Sequence, residues 1–284
     1  MANMEDGTAG TPEVSAPGTP TPGAPLFTSI RVDSSSYDRK PPVLGNKCLP
    51  ISKWTHPNFL SQLPTPRDVS LTRKMGAEFV GTFVLIFTAV AGPIVNEKYN
   101  GVETLIGNAL CSGLAVMVVV FSIGHISAAH LNPAVTIAFA ALHHFPWSQV
   151  PGYILAQVSA SICASFTLKG VFHPFLSGGV TVPHVSTGQA FALEFIITFQ
   201  LMFVITAVAT DTRAVGDLAA VAIGGVVFDC ASMNPVRTLG PAIAAHNYDT
   251  IWIYFVAPTL GAILGAAVYN IIKLKIINVE DPSS

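Results

Sequence analysis

The sequence predicts an all-α membrane protein with six transmembrane helices and two re-entrant half-helices. Three observations support this prediction. Of the 284 residues, 51% are hydrophobic and only 11% are charged, whereas soluble domains usually carry about 25% charged residues. The apolar residues form six separate stretches. The two halves of the chain also repeat one another in opposite orientation, which is typical of membrane channels and transporters.

The chain divides into a polar tail, an apolar domain and a short end. Residues 1–66 are rich in Pro and Gly and lack apolar periodicity, which predicts a disordered tail. No apolar run follows Met1, so we do not expect a cleavable signal peptide. The predicted membrane domain covers 67–275, and a second short tail covers 276–284.

Six apolar stretches give the predicted spans. They cover 75–94, 105–123, 149–171, 189–209, 217–228 and 251–272. Five are near the ~20 residues that a transmembrane helix needs, but the fifth in order is short. Basic residues lie before the first span, between the fourth and fifth spans, and after the sixth. An even number of membrane crossings separates these points, so all of them lie on the same side of the membrane, which is predicted to be the cytoplasmic side. The basic residues are Arg67, Arg73, Lys74, Arg213, Lys273 and Lys275.

A repeat relates the two halves of the apolar domain. The segment 76–90 resembles 192–208, and the match aligns Glu78 with Glu194. The second copy begins three predicted spans after the first. Because this number of membrane crossings is odd, the two copies must have opposite orientations in the membrane. In inverted repeats the solute site lies near the bilayer midplane, where discontinuous helices meet.

Each half also contains an Asn-Pro pair followed by a short apolar run. The pairs and their next residues are Asn132, Pro133, Ala134 and Asn234, Pro235, Val236. Asn is a favoured N-cap and Pro suits the first helical position, so each pair predicts a helix start. The runs are too short to cross a bilayer, which predicts two half-helices whose positive ends meet in a pore. There the Asn amides can donate hydrogen bonds to a solute, and the positive potential repels cations.

Glu78 and Glu194 are single carboxylates inside apolar spans, where an acid is costly and normally faces the bundle interior. One interpretation is a proton relay, as in a carrier. The other is that each glutamate accepts hydrogen bonds from its half-helix loop. We favour the second interpretation because no intramembrane chain of His or Asp residues continues a relay.

Arg237 breaks the repeat. It lies three residues after Asn234, whereas the matching position after Asn132 is the apolar Val135. A fixed cation that only one copy carries suggests a functional role, with a structural salt bridge as the alternative.

The motifs GHISAAHLNPAVT and SMNPVRTLGPA resemble the two signature loops of the major intrinsic proteins, the aquaporin and glyceroporin family. The resemblance covers about residues 70–275. Three further features are similar to the plant nodulin-26-like proteins, and to their subgroup associated with boric acid transport. They are Asn-Pro-Val in the second signature and the segments PRDVSLTRKMGAEFVGTF and GVFHPFLSGGVTVP. This resemblance implies a passive channel in the plasma membrane, a homotetramer, structural roles for the two glutamates, and no cofactor.

The same resemblance implies a selectivity filter. Arg237 would line the outer constriction, with Ser112, twenty residues before Asn132, and Ala231, three before Asn234. Water-selective relatives carry a bulky aromatic residue at the position of Ser112. The small Ser112 and Ala231 therefore imply a wider opening, suited to boric acid, glycerol or urea. Ala128 stands where the family usually has Gly.

The second half of the repeat is too short. Leu105 precedes Asn132 by 27 positions, but Leu218 precedes Asn234 by only 16, a deficit of eleven residues. At 1.5 Å per residue this segment cannot cross ~30 Å of hydrocarbon and also supply a loop. We expect either a late, tilted or unwound fifth span, or a displaced Asn234. We assign no residue of this segment to the filter, and we expect the chain to conduct poorly.

Three functions remain open at this point: a passive channel for small uncharged solutes, a secondary carrier, and a non-conducting or retained membrane protein. A carrier needs a coupling-ion site, and only the two glutamates are candidates. Paired catalytic acids, a nucleophile motif and a metal-binding cluster are missing from the sequence, so an enzyme is not expected. The net charge of −2 does not suggest nucleic acid as a partner. The cysteines Cys48, Cys111, Cys163 and Cys230 lack metal or disulfide spacing.

We predict that both ends of the chain are cytoplasmic, because the Lys and Arg residues lie on one side of the predicted spans. Protease added outside intact cells should spare an epitope at either terminus. Cleavage of either epitope from outside would contradict this topology.

Overall fold

The computed structural model describes residues 69–173, 179–211, 218–228 and 231–274. The predicted tails over 1–66 and 276–284 lie outside these ranges, as do Arg67, Arg213, Lys275, Cys48 and Cys230. The described part forms eight α-helices and one 3₁₀ turn at Trp147–Gln149. The helices are α1 Leu71–Lys98, α2 Thr104–Ser127, α3 Pro133–Ala141, α4 Val150–Phe172, α5 Thr187–Thr210, α6 Ala219–Val226, α7 Pro235–Ala245 and α8 Ile253–Ile272.

The predicted fold class is confirmed. Within the described residues, five helices are long and apolar enough to cross a membrane: α1, α2, α5, α8, and α4 together with its preceding turn. The fifth span in chain order is truncated: α6 has eight residues. A helix of that length rises only about 12 Å, less than half of the hydrocarbon thickness.

The two Asn-Pro pairs begin short helices, as their local chemistry predicts. Asn132 and Asn234 are the N-caps of α3 and α7, which have 9 and 11 residues. Each side-chain oxygen accepts a hydrogen bond from the backbone N–H two residues on, at 2.8 Å for Ala134 and 3.1 Å for Val236. This bond satisfies one of the N–H groups that a helix start leaves unpaired.

Each half-helix packs mainly against a long helix of the other repeat. In the first repeat α1 packs against α2 and α4, and in the second α5 packs against α8 and α6. The half-helix α3 of the first repeat packs most extensively on α8 of the second. Conversely, α7 of the second repeat packs on α4 of the first. This exchange ties the two repeats together through their half-helices.

Small residues lie where the long helices cross. Ala156, Ala160 and Ala164 of α4 are buried, in agreement with their four-residue spacing. On α8, a β-carbon at Gly261 or Gly265 would overlap backbone atoms of Phe195 and Phe199 in α5. Without bulk at these positions the helix backbones approach closely, which drives helix association in lipid.

We predict that Gly265→Leu destabilises the bundle, because the new side chain overlaps the Phe199 carbonyl oxygen at the α5–α8 crossing. Overpacking of this kind costs about 1–3 kcal/mol. The measurement is the thermal unfolding midpoint of the purified protein in detergent. Gly170→Leu is the matched control, because Gly170 of α4 faces open space. Equal midpoints for the two variants would contradict the close crossing.

Candidate functional site

Glu78 holds the first re-entrant loop. Its side chain is fully buried in α1. Oε1 accepts hydrogen bonds from the Ser127 hydroxyl at 2.7 Å and from the His130 N–H at 2.8 Å. Oε2 accepts from the Leu131 N–H at 2.7 Å and from the Gln157 amide at 2.9 Å. Four donors on one carboxylate fix the turn that leads into α3.

Glu194 holds the second loop in the same way. It is 5% exposed in α5. Its two oxygens accept hydrogen bonds from the N–H groups of Ser232 and Met233, both at 2.9 Å. Two neighbouring N–H groups on the two oxygens of one carboxylate thus recur in both repeats. This geometry corresponds to the second of the two interpretations of the glutamates.

The two loops are joined to each other by their asparagines. Asn132 Nδ2 donates to the Met233 carbonyl at 2.8 Å, and Asn234 Nδ2 donates to the Leu131 carbonyl at 2.9 Å. Leu131 and Met233 have φ of 56° and 52°, a left-handed conformation that is uncommon for such residues. The glutamate binds the N–H of each left-handed residue and the opposite asparagine binds its C=O.

Ala128, Ala129 and Leu131 all have positive φ, so the loop between α2 and α3 is tightly coiled. Ala128 ends α2 with φ of 66°, where glycine carries no steric penalty. The alanine at this position therefore adds conformational strain. Ala128 is exposed and lines the cavity described below, and the Glu78 contacts of the loop are still made.

A cavity of about 460 Å³ lies beside the joined loops. The structure brings together there all three residues that were chosen for the filter, with both asparagines: Ser112, Ala231, Arg237, Asn132 and Asn234. Apolar side chains of α1, α2 and α5 also line the cavity, among them Leu85, Val116, Leu201 and Ile205. The lining thus combines hydrogen-bond donors with apolar side chains.

Arg237 is in the first turn of α7 and is partly buried. Its Nη1 donates a hydrogen bond to Thr181 Oγ1 at 3.3 Å. Thr181 belongs to the connection between α4 and α5, which therefore contacts Arg237. Sequence reasoning missed Thr181, because nothing in the local pattern of this loop distinguishes it from a surface connection.

The shortened α6 still contributes to the cavity wall through Ile223 and Val227. Sequence spacing assigned no residue of this segment. At Gly113 of α2 a β-carbon would overlap the Phe228 ring and the Gly224 carbonyl, so α6 lies directly against the helix that carries Ser112.

A buried network of polar side chains connects the first loop to α3 and α4. Gln157 of α4 donates to Thr136 Oγ1 at 3.1 Å as well as to Glu78, and Thr136 lies 3.2 Å from His130 Nδ1. In the second half Ser232 lies 2.7 Å from Thr238 at the matching positions. Sequence reasoning did not identify this network. Polar residues that recur six positions apart around each Asn-Pro pair are the signal that could have found it.

Comparison with known proteins agrees with this geometry. The major intrinsic protein family model matches residues 66–269. The chain is 66% identical to probable aquaporin NIP5-1 of Arabidopsis thaliana over 270 residues, which is 91% of this chain and 88% of that protein. It is 60% identical to aquaporin NIP3-1 of Oryza sativa subsp. japonica, over 94% of this chain and 91% of the relative. Nodulin-26 of Glycine max is 50% identical over 72% of this chain and 80% of its own length.

A solved structure shows the same fold. The X-ray structure of the aquaglyceroporin from Plasmodium falciparum superposes with a TM-score of 0.62 at 28% identity, covering 72% of this chain and 97% of that chain. Members of the matched family are multi-pass membrane channels and not enzymes. The fold, the paired Asn-Pro loops and these relatives lead to one conclusion: the chain belongs to the major intrinsic protein family, and its relatives are the plant nodulin-26-like intrinsic proteins.

Proposed function

We propose that this protein is built as a passive pathway for small uncharged solutes of the boric acid, glycerol and urea type, with water as a further solute. The observation that carries the proposal is the cavity in which Asn132, Asn234, Ser112, Ala231 and Arg237 meet. We further propose that it works as a homotetramer in the plasma membrane, with both termini in the cytoplasm.

The chemistry of the lining supports this solute class. The amide groups of Asn132 and Asn234 each have two N–H donors, and one of them is used between the loops. The second donor is available to a hydroxyl or carbonyl oxygen in the cavity. Arg237 adds a fixed positive charge, which disfavours cations. Uncharged molecules with several oxygens suit a lining that offers both hydrogen-bond donors and apolar contacts.

The small size of two lining side chains also supports solutes larger than water. Ser112 is a small residue whose hydroxyl donates to its own helix, to the Asn108 carbonyl at 3.4 Å. Ala231 carries a single methyl group. We propose that these two side chains and Arg237 form a constriction wide enough for a trigonal molecule such as boric acid.

A second candidate is a membrane protein that conducts little or nothing. The observation that favours it is α6, which ends at Val226 after eight residues. Its last turn closes with a hydrogen bond from the Val227 N–H to the Gly224 carbonyl at 3.2 Å. A chain that leaves helical geometry within the membrane exposes backbone groups that lipid cannot satisfy, at several kcal/mol each. We therefore propose that the shortened span limits flux. A splice product, an error in the gene model or real divergence would explain its length.

A secondary carrier is the third candidate, and it has the weakest support. Both glutamates are surrounded by donors from their own loops. Solute flux that responds to an imposed proton gradient would favour a carrier over a channel.

We predict that Ser112→Phe reduces boric acid and glycerol flux more than water flux, because the ring adds bulk to the cavity. Stopped-flow swelling of vesicles, or swelling of oocytes, measures the three permeabilities in a version of the protein that conducts. The matched control is Ser122→Phe, which makes the same change on the exposed face of α2. Equal losses for all three solutes would indicate misfolding, and unchanged flux would place Ser112 outside the pathway.

We predict that restoring eleven apolar and loop residues before Ser232 raises boric acid flux well above that of the present chain. The added residues give the fifth span the length that α6 lacks. The two versions are compared in oocytes at equal surface abundance, measured by surface biotinylation. Comparable flux at comparable surface abundance would show that the shortened span is not limiting.

A further inference from the structure

Lys169 is a cationic side chain in the last turn of α4, and it is partly buried. Its Nζ donates a hydrogen bond of 2.7 Å to the carbonyl oxygen of Ala244. Ala244 lies in the last turn of α7, where backbone carbonyls have no N–H donor within the helix. A cation at this end also complements the helix dipole. Lys169 therefore caps the half-helix that carries Arg237.

The contact between Lys169 and Ala244 is the last in a series of contacts between α4 and α7. Every fourth residue of α4 faces every fourth residue of α7: Ser161, Ser165 and Lys169 against Val236, Gly240 and Ala244. The Ser161 hydroxyl donates to the Val236 carbonyl. At Gly240 a β-carbon would overlap the hydroxyl groups of Ser161 and Ser165. The first two of these contacts thus bring the helices close together, and the third is a charged hydrogen bond at the C-terminal end of α7.

The inverted repeat places a polar residue at the matching point of the other half. Lys169 follows Ala164 by five positions, and Asn270 of α8 follows Gly265 by five. Asn270 Nδ2 lies 3.2 Å from His144 Nε2, just beyond the end of α3. Each half-helix is therefore tied at its C-terminal end to a long helix of the opposite repeat. The polar contact near the end of the half-helix thus recurs in both halves, although only the second half-helix is bound by a lysine.

We propose that Lys169 is a positioning residue for Arg237. The inference rests on the proposed role of Arg237 in the filter. The loop bonds of Asn234 and Glu194 fix the beginning of α7, but an 11-residue helix fixed at one end can still tilt. Lys169 fixes the other end, two turns beyond Arg237. Lys169 is not among the residues that line the cavity, so it acts through α7 and does not contact the solute.

The test is hydrogen–deuterium exchange of the full chain in lipid nanodiscs, read by mass spectrometry over overlapping peptides. Lys169→Met removes the charge and the donor while keeping the length. It does not impede membrane insertion, because an apolar residue replaces a charged one. Lys169→Gln is a second variant that is too short to reach Ala244. Lys169→Arg restores a donor and a charge. Thr167→Val is the matched control, because the Thr167 hydroxyl bonds only within α4, to Cys163.

We expect amide exchange to rise about tenfold from Arg237 through Ala242 in Lys169→Met and Lys169→Gln, the effect of losing one charge-assisted hydrogen bond. Exchange in α3 should stay unchanged in all variants, and Lys169→Arg and Thr167→Val should match the parent. A rise confined to residues 244–247 would show simple fraying of the last turn and would overturn the proposal, as would no rise.

A transport measurement then tests the link to Arg237. In the version with the restored span, Lys169→Met should change the glycerol-to-water permeability ratio, and Lys169→Arg should bring it back. An unchanged ratio in a conducting protein would overturn the positioning role. If the restored parent carries no solute at all, the proposed function fails, while the exchange result still decides whether Lys169 fixes α7.

Discussion

The hydrogen bonds that join the two re-entrant loops hold the remainder of the structure in place. Leu131 and Met233 each adopt a left-handed backbone, and each would be strained without support from outside its own loop. That support comes from a buried glutamate on the N–H and from the asparagine of the opposite loop on the C=O. Since each loop supplies the acceptor for the other, neither can keep this geometry alone. The positions of both half-helices, and so of Arg237, follow from this mutual dependence.

This arrangement explains why the shortened fifth span does not displace Asn234. Glu194, which holds the second loop, belongs to α5, and the half-helix α7 packs on α4. Neither contact involves α6. Of the two outcomes that the eleven-residue deficit allows, the structure therefore adopts a truncated span with Asn234 still opposite Asn132. The deficit affects the wall of the cavity and leaves the paired loops in place.

The exchange of half-helices between repeats also distributes the cost of buried polar groups. The glutamates would be expensive in lipid, but each meets donors from a loop that needs acceptors. Where α4 meets α7, small residues let the backbones approach, and Lys169 supplies a charge at the one end that has open carbonyls. Buried polar groups thus find their partners in the re-entrant loops, along the contact between α4 and α7, and at the end of α7.

The sequence by itself determined the helices, the inverted repeat and the starts of both half-helices, because hydrophobic run length and the capping chemistry of Asn-Pro are local properties. It also showed that the fifth span is short, since that needs only a count of residues. Residue spacing within the family resemblance selected Ser112, Ala231 and Arg237, and the structure brings them to one cavity. Only the tertiary structure showed that each asparagine binds the opposite loop, that Thr181 and Lys169 reach α7, and that α6 leaves Asn234 undisturbed. These contacts join residues far apart in the chain, and their partners are chosen by helix packing, which no local pattern encodes.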